Sequence, residues 1–448
     1  MTVVHFPYTY FPDAAGGTEI YVEALCRHLC DRGIDARVAA PGGEDAYEHH
    51  GVPIQRYPLS SVSAASEIYG AGDSLGAGHV EALLADWSPD IVHMHAHTRG
   101  VSLRVAEVAK DRGIPVLLTY HTPTVSCMRG TLLRYGETVC DGIMERRRCA
   151  SCVLHGHGLP KWAAAVLGHL PPSVGEALAG AGLDGEGWTA ASMPHFVEKK
   201  HTATRALFAT VDHIVPVCEW VQEVLQRNDV PGEKITVSRQ GLPLPECESV
   251  ADTRQSAPDA FHAERPLRLT FFGRLHPTKG VHVLLRALRQ VPEAPVTLDL
   301  YGIAQDASEY TRTVRTLVAG DARVSLCNPV DADAVPATMR DYDAVTVPSQ
   351  WLETGPLVVY EAFAAGRPVI GSDLGGIAEL VTDRVDGLLV DPDNETAWQR
   401  ALKRLVNEPS LLGRLRSGVQ PPRTMQDAAT DMAELYQRIL SGGQHQIP

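Results

Sequence analysis

At 448 residues the chain is too long for one ordinary hydrophobic core and suggests two domains of roughly 200 residues each. Its content, 44% hydrophobic and 21% charged, is that of a soluble globular protein able to bury two cores. The net charge of −14 argues against a nucleic-acid partner and gives no general attraction to an anionic membrane. The start, MTVVHFPYTYFPDAAGG, lacks a basic n-region, and its apolar run is too short for a signal peptide. The longest apolar runs, such as KWAAAVLGHL, fall short of the ~18 residues that span a bilayer. No transmembrane segment is therefore expected, and a cytoplasmic location is the simplest reading.

Along the chain, short apolar runs alternate with helix-like segments, the pattern of parallel sheets flanked by helices. In the first half the expected strands are VVHFPY, ARVAAP, DIVHMHAH, VLLTYH and HIVPVC. Between the first two, TEIYVEALCRHLCDRG sets Ile20, Leu25 and Leu29 on one helical face. Further on stands SCMRGTLLRYGETVCDGIMERRRCASCVLHGHG, with Cys127, Cys140, Cys149 and Cys152. In a cytoplasmic protein, four clustered cysteines ending in Cys-x2-Cys read first as a metal site, with four thiolates closing a tetrahedron around a structural zinc. An iron-sulfur cluster is the alternative cofactor, and disulfides or four unrelated thiols are the bland reading. His155 and His157 can stand in for a cysteine ligand. The neighbouring run Arg146, Arg147 and Arg148 reads as a solvated face, or as a patch that recognises an anionic acceptor. The scattered Cys26, Cys30, Cys218, Cys247 and Cys327 read mostly as small hydrophobes.

Near residue 246 the periodicity stops, and ECESVADTRQSAPDAFHAERP reads as a linker over 246–266. The alternation restarts with RLTFFGRL, VTLDLYG, RVSLCNPV, AVTVPS and PVIGSD. Two α/β domains facing across a cleft are the leading architecture. The last helical stretch, DAATDMAELYQRIL within 421–448, is expected to cross back and pack Met432, Leu435 and Leu440 on the first domain.

The stretch PSQWLETGPLVVYEAFAAGRPVIGSD carries the chemistry. Glu353 and Glu361 stand eight positions apart, across a Gly-Pro pair that opens a helix with Pro356 at its first position and Gly366 at its stop. Free amides from about Gly355 to Leu357 point out of the carboxyl end of a parallel sheet, a place that favours phosphate. Glu361, over a turn further on, can accept hydrogen bonds from two ribose hydroxyls, while Glu353 faces the other end of the ligand. In LTFFGRLHPTKG, Arg274 and Lys279 suit a diphosphate, Arg by bidentate contact and Lys as a point charge. Either cation alone reads as a solvated loop residue; together with the two acids they read as a clamp on a nucleoside diphosphate.

These segments, GRLHPTKG and PSQWLETGPLVVYEAFAAGRPVIGSDLGGIAELV, resemble the family-four glycosyltransferases of the GT-B fold, whose hallmark is a Glu-x7-Glu motif. The likeness runs from FPDAAGGTEIYVEALCRHLCDRG to DGLLVDPDNETAWQRAL. It implies two Rossmann-like domains: an acceptor-binding one over 1–245, with a cysteine-rich insertion at about 122–198, and a nucleotide-sugar-binding one over 267–420. It implies sugar transfer from a nucleotide sugar with retention of anomeric configuration and no catalytic metal. Carried over, Arg274 and Lys279 bind the diphosphate, Glu361 holds the ribose, Glu353 approaches the donor sugar, and Thr354, Gly355, Pro356 and Leu357 present backbone. Gly16 and Gly17 would let the first loop approach the donor phosphates. His121 corresponds to a histidine that reaches the donor sugar, a core histidine being its plain alternative. The chain departs from the family at Cys218, where a serine is usual, and at RQG, where Asn-Gly is usual.

The expected function is a retaining glycosyltransferase using a UDP- or GDP-linked donor and a small soluble acceptor. A cell-envelope or exopolysaccharide transferase and a nucleotide-sugar epimerase of the same fold are the alternatives. A sugar-binding protein has the retained acids and the missing export signal against it, and a pyridoxal-phosphate phosphorylase lacks a matching lysine. The acceptor is a small molecule or a glycan, and assembly as a homodimer is left open.

Overall fold

In the computed structural model the apolar runs become two parallel sheets. The structure describes residues 1–13, 16–61, 65–181, 186–242, 261–262, 264–303 and 308–442. Cys247 and most of the 246–266 linker lie outside the described residues. The chain divides into two compact units, 1–240 together with 425–448, and 241–424.

The strands of the first unit are β1 (Thr2–Phe6), β2 (Asp35–Pro41), β3 (Ala46–His49), β4 (Val52–Tyr57), β5 (Ile91–Met94), β6 (Val116–Tyr120), β7 (Leu133–Arg134), β8 (Thr138–Val139) and β9 (His213–Pro216). Those of the second are β10 (Leu267–Arg274), β11 (Val296–Ile303), β12 (Val324–Cys327), β13 (Ala344–Val347), β14 (Val369–Ser372) and β15 (Gly387–Val390). The helices that bear on function are α1 (Gly17–Cys30), α2 (Arg146–Gly156), α3 (Glu186–Thr210), α4 (Val281–Arg289), α5 (Leu357–Ala364), α6 (Gly375–Leu380) and α7 (Met425–Gly442).

The first sheet runs β3-β4-β2-β1-β5-β6-β9, parallel except for the antiparallel β3–β4 edge. Helices cover both faces, which is why its strands read as nearly unbroken apolar runs. On β1, Val4 and Phe6 enter one core with Val92 and Leu118, while Val3 turns to the other with Leu117, Leu25 and Leu29. Into that second core α7 brings Met425, Met432, Leu435 and Tyr436, with Leu440 partly buried against it. The second sheet runs β12-β11-β10-β13-β14-β15, parallel throughout. β15 and the β3–β4 hairpin lie outside the strands expected from sequence. The GLLV of β15 is too short a run to stand apart from its neighbours, and AYEH of β3 alternates half-exposed positions instead of forming an apolar run.

No helix among the described residues is long and apolar enough to cross a membrane.

Candidate active site

The two acids of the Glu-x7-Glu motif meet different surroundings. β13 ends at Val347, and the loop that follows carries Glu353 back over the strand end. Glu353 is only 6% exposed, and its Oε1 accepts hydrogen bonds from the Lys279 ammonium at 2.6 Å and the Ser349 hydroxyl at 2.8 Å. Burial alone would raise this carboxyl. The charge and hydrogen bond of Lys279, with help from Trp351 and Ser349, outweigh that and hold it below the usual carboxylate range. Lys279 also stands over the Trp351 ring, 5.9 Å from its centre.

Two glycines make this pairing possible. Gly280 adopts φ 68°, and a Cβ there would stand 1.8 Å from the Pro348 carbonyl oxygen. Only a residue without a side chain lets the turn Pro277–Lys279 press on the end of β13, where the Gln350 amide then donates to the Thr278 carbonyl at 2.7 Å. From the other side, the Gly376 amide of α6 donates to the Glu353 carbonyl at 2.7 Å, and a Cβ would lie equally close to that oxygen.

Glu361 sits in the second turn of α5, half-buried and with no side-chain partner among the described residues. Burial pushes its pKa up to about 7. Pro356 proves to be the residue before α5 rather than its first helical position, with ψ 100°, and no side chain caps the amides that follow. The helix ends as expected, with Gly366 left-handed at φ 68°. Thr354, Gly355 and Leu357 are half-buried on the approach to it, and Pro356 is buried. Arg274 ends β10 as an exposed guanidinium without a partner among the described residues.

On the first unit, His121 follows β6 and is 2% exposed. Its Nε2 lies 3.0 Å from His95 Nδ1, and its Nδ1 lies 3.3 Å from the Gln240 amide nitrogen. His95 Nε2 lies 3.0 Å from His5 Nδ1 in turn. His93 completes the group, bonded to Tyr436 at 2.6 Å and Thr119 at 2.7 Å. Register explains the cluster: His5 pairs with His93 across β1 and β5, and His95 is two residues on, so all three share one face of the sheet. Burial lowers all four imidazoles, His5 and His121 to about 3, so the group is neutral. A donating Gln240 amide makes His121 the Nε2–H tautomer, which sets the same tautomer in His95 and then in His5. The chain ends on His5 Nε2, a buried nitrogen without a partner among the described residues. The alternating histidines of IVHMHAH carried this signal in the sequence, and Ser349 was visible four residues before Glu353.

Gly16 precedes α1 in extended conformation, with φ −145°, and Gly17 is its first residue. A Cβ on Gly16 would meet the Glu19 carboxylate at 3.1 Å, so Glu19 closes this helix start from within. Burial raises the Glu19 carboxyl, and the amides of Gly16 and Thr9 oppose that rise. Cys218 is buried in the core of the first unit. Two residues of the arginine run are spent on structure. Arg148 grips Asp141 at 2.8 and 2.6 Å, Arg146 reaches the Leu170 carbonyl at 3.0 Å, and Arg147 is exposed. His155 is bonded to the Leu159 carbonyl at 2.8 Å, and His157 is exposed.

The family profile described as Glycosyltransferase Family 4 matches residues 15–244, more than half of the chain. The chain belongs to glycosyltransferase family 4. A second profile, described as Glycosyl transferases group 1, matches residues 266–408. Among curated relatives of this family-4 chain is the D-inositol 3-phosphate glycosyltransferase of Paenarthrobacter aurescens, 23% identical over 96% of this chain and 94% of that protein. That of Salinispora tropica is 31% identical, but the match spans only 44% of each chain. Sucrose-phosphate synthase from Thermosynechococcus elongatus superposes with a TM-score of 0.64 at 18% identity, over 99% of this chain and 100% of that one. Anabaena HepE in complex with UDP and glucose gives 0.63 at 17% identity, over 97% and 99%. The family-4 chain thus has the GT-B fold, built from two parallel-sheet α/β domains.

Proposed function

We propose that this protein is a retaining glycosyltransferase that moves a sugar from a nucleoside-diphosphate donor to a small soluble acceptor, without a catalytic metal. The observation that carries the reading is the contact of Lys279 with Glu353, with Arg274, which has no partner among the described residues, at the end of β10. An ammonium and a guanidinium at the carboxyl ends of the strands can neutralise the diphosphate that leaves as the sugar bond breaks. The uncapped amides at the start of α5 add partial positive charge there. Glu361, whose carboxyl burial pushes up to about 7, accepts hydrogen bonds from two ribose hydroxyls once ionised. Glu353, kept ionised, is assigned to the donor sugar. His121 is assigned to the same sugar, which requires Gln240 to release its Nδ1.

The complex of HepE with UDP and glucose supports a UDP donor, and the name D-inositol 3-phosphate glycosyltransferase supports a small hydroxylated acceptor. The test is transfer from UDP-linked and GDP-linked sugars to inositol 3-phosphate and related polyols, followed by proton NMR of the anomeric position, with and without chelator. A retained anomeric configuration unaffected by chelator is expected. An inverted product, or conversion of the donor sugar without any acceptor, would defeat the assignment.

A further inference from the structure

The four cysteines outside the donor site converge. Cys127, Cys140, Cys149 and Cys152 all line one cavity of about 40 Å³ in the first unit. They reach it from three elements: Cys127 from the turn after β6, Cys140 from the end of the β7–β8 hairpin, and Cys149 with Cys152 from successive turns of α2. Strands of two residues cannot hold a hairpin by themselves, and Leu132 and Tyr135 are left-handed at φ 48° and 57°.

A second observation points to a ligand. His201 of α3 lines the same cavity, is 2% exposed, and its Nδ1 has no partner among the described residues. Around the sulfurs stand donors suited to thiolates: the Tyr135 amide at 3.2 Å and Arg129 at 3.7 Å from Cys152 Sγ, and the Gly142 amide beside Cys140.

We propose that this pocket is a structural metal site in which the thiolates of Cys127, Cys140, Cys149 and Cys152 hold one zinc ion. No three of these sulfurs are among the ligand groups already within 4.8 Å of one another in the described residues, so binding draws them together. Four thiols give up four protons to the medium and form four bonds to one divalent ion, leaving a net charge of −2. Arg129 and Arg148 offset that charge, and His201 gains a thiolate partner for its free nitrogen. Soft ligands in a closed tetrahedron select zinc. Its role is to fix a segment with little core of its own.

The experiment is elemental analysis of the full-length protein purified without added metal, with exchange of the bound ion for cobalt. Expected are about one zinc per chain, a colourless protein, and thiolate-to-cobalt charge-transfer bands after exchange. Cys149→Ser and Cys152→Ser should lose the metal and become protease-sensitive in the 127–152 segment, while His201→Leu and Cys327→Ser keep it. If the cysteine variants do not fold, release of zinc from the wild-type protein by a mercurial thiol reagent, with loss of the same protection, serves instead. Overturning results are a metal-free reduced protein that takes up no cobalt, disulfides among these cysteines under reducing conditions, a brown protein with iron and labile sulfide, or metal lost by His201→Leu but kept by Cys152→Ser.

Discussion

The histidine stack of the first unit and the acid–base cluster of the second both stand at the carboxyl ends of parallel strands, the position where such sheets bind ligands. They are finished in opposite ways. In the stack, burial keeps the imidazoles neutral and most ring nitrogens are spent on one another or on Gln240, Thr119 and Tyr436. In the cluster, charge is kept by pairing at Glu353, while Arg274 and Glu361 are left without side-chain partners among the described residues. The first array is closed on itself and the second is open to a ligand. Unspent polar groups, more than their number, separate a binding site from a well-satisfied core.

The sharpest break comes from the glycine that brings the second array together. Gly280→Val forces a side chain into the Pro348 carbonyl and a β-branched residue into left-handed backbone. Catalytic efficiency should fall at least a hundredfold, about 2.7 kcal/mol of transition-state stabilisation, with a lowered Tm. Gly33→Ala is the control, since Gly33 has φ 75° but a Cβ there would meet no atom within 4 Å. Equal losses in both would show that the contact with β13 is unimportant.

Next in size is Lys279→Ala, which leaves Glu353 buried without its cation. The Glu353 carboxyl should then rise, and efficiency should fall at least tenfold, about 1.4 kcal/mol. Lys279→Ala combined with Glu353→Gln should be more stable than Lys279→Ala alone, because no unpaired charge remains. A double-mutant cycle of kinetics and unfolding reads both effects. Strict additivity would mean that the 2.6 Å contact carries no coupling.

Arg274, Lys279, Glu353 and Glu361 stand out in the sequence as a candidate site because their types and spacing match one ligand's chemistry, and the strands were legible because both faces are buried. The rest depends on atoms distant in sequence. Nothing near Gly280 announces that Pro348 will lie against it. Glu353 reads in sequence as directed at a ligand, whereas the fold sets Lys279 and Ser349 on it. DIVHMHAH was readable as a strand, but His5 joins it only through the β1–β5 register. The one-residue shift at Pro356 has a local cause: ψ 100° there keeps the residue extended, so the helix starts after it.

A smaller effect contrasts the two arrays by pH. His5 and His121 titrate near 3 in the fold against 6.5 for a free imidazole. Their folded pKa is depressed, so the unfolded chain takes up more protons, and stability is lost as pH falls from about 6.5 toward 3. Glu361 has the opposite sign. Its folded pKa of about 7 lies above the free value of 4.5, so its contribution is full below 4.5 and lost as pH rises toward 7. Two ribose hydroxyls that both donate to the ionised carboxylate should reverse this locally, so UDP affinity should rise with pH through about 7 in the wild type and lose that dependence in Glu361→Ala. Calorimetric titration of UDP against pH checks it. Glu353→Ala should keep both the affinity and the slope while losing turnover.

The smallest effect tests whether the closed array is closed for a reason. Gln240 meets His121 from outside the histidine chain at a long 3.3 Å, and a neutral bond of this kind contributes about 1 kcal/mol or less. Gln240→Ala should therefore cost little stability and leave UDP affinity unchanged. It removes the donor that holds His121 as the Nε2–H tautomer, and the chain through His95 to His5 can then reverse as a unit, which turns His5 Nε2 from an unpaired N–H into an unprotonated acceptor. Nitrogen-15 NMR of the imidazoles should show the tautomers of all three histidines changing together. If His121 serves the donor sugar, the freed Nδ1 leaves kcat unchanged or raises it, whereas His121→Ala lowers kcat. Tautomers that stay fixed in Gln240→Ala would mean that the stack sets its own proton positions, and that the first unit holds a core rather than a relay.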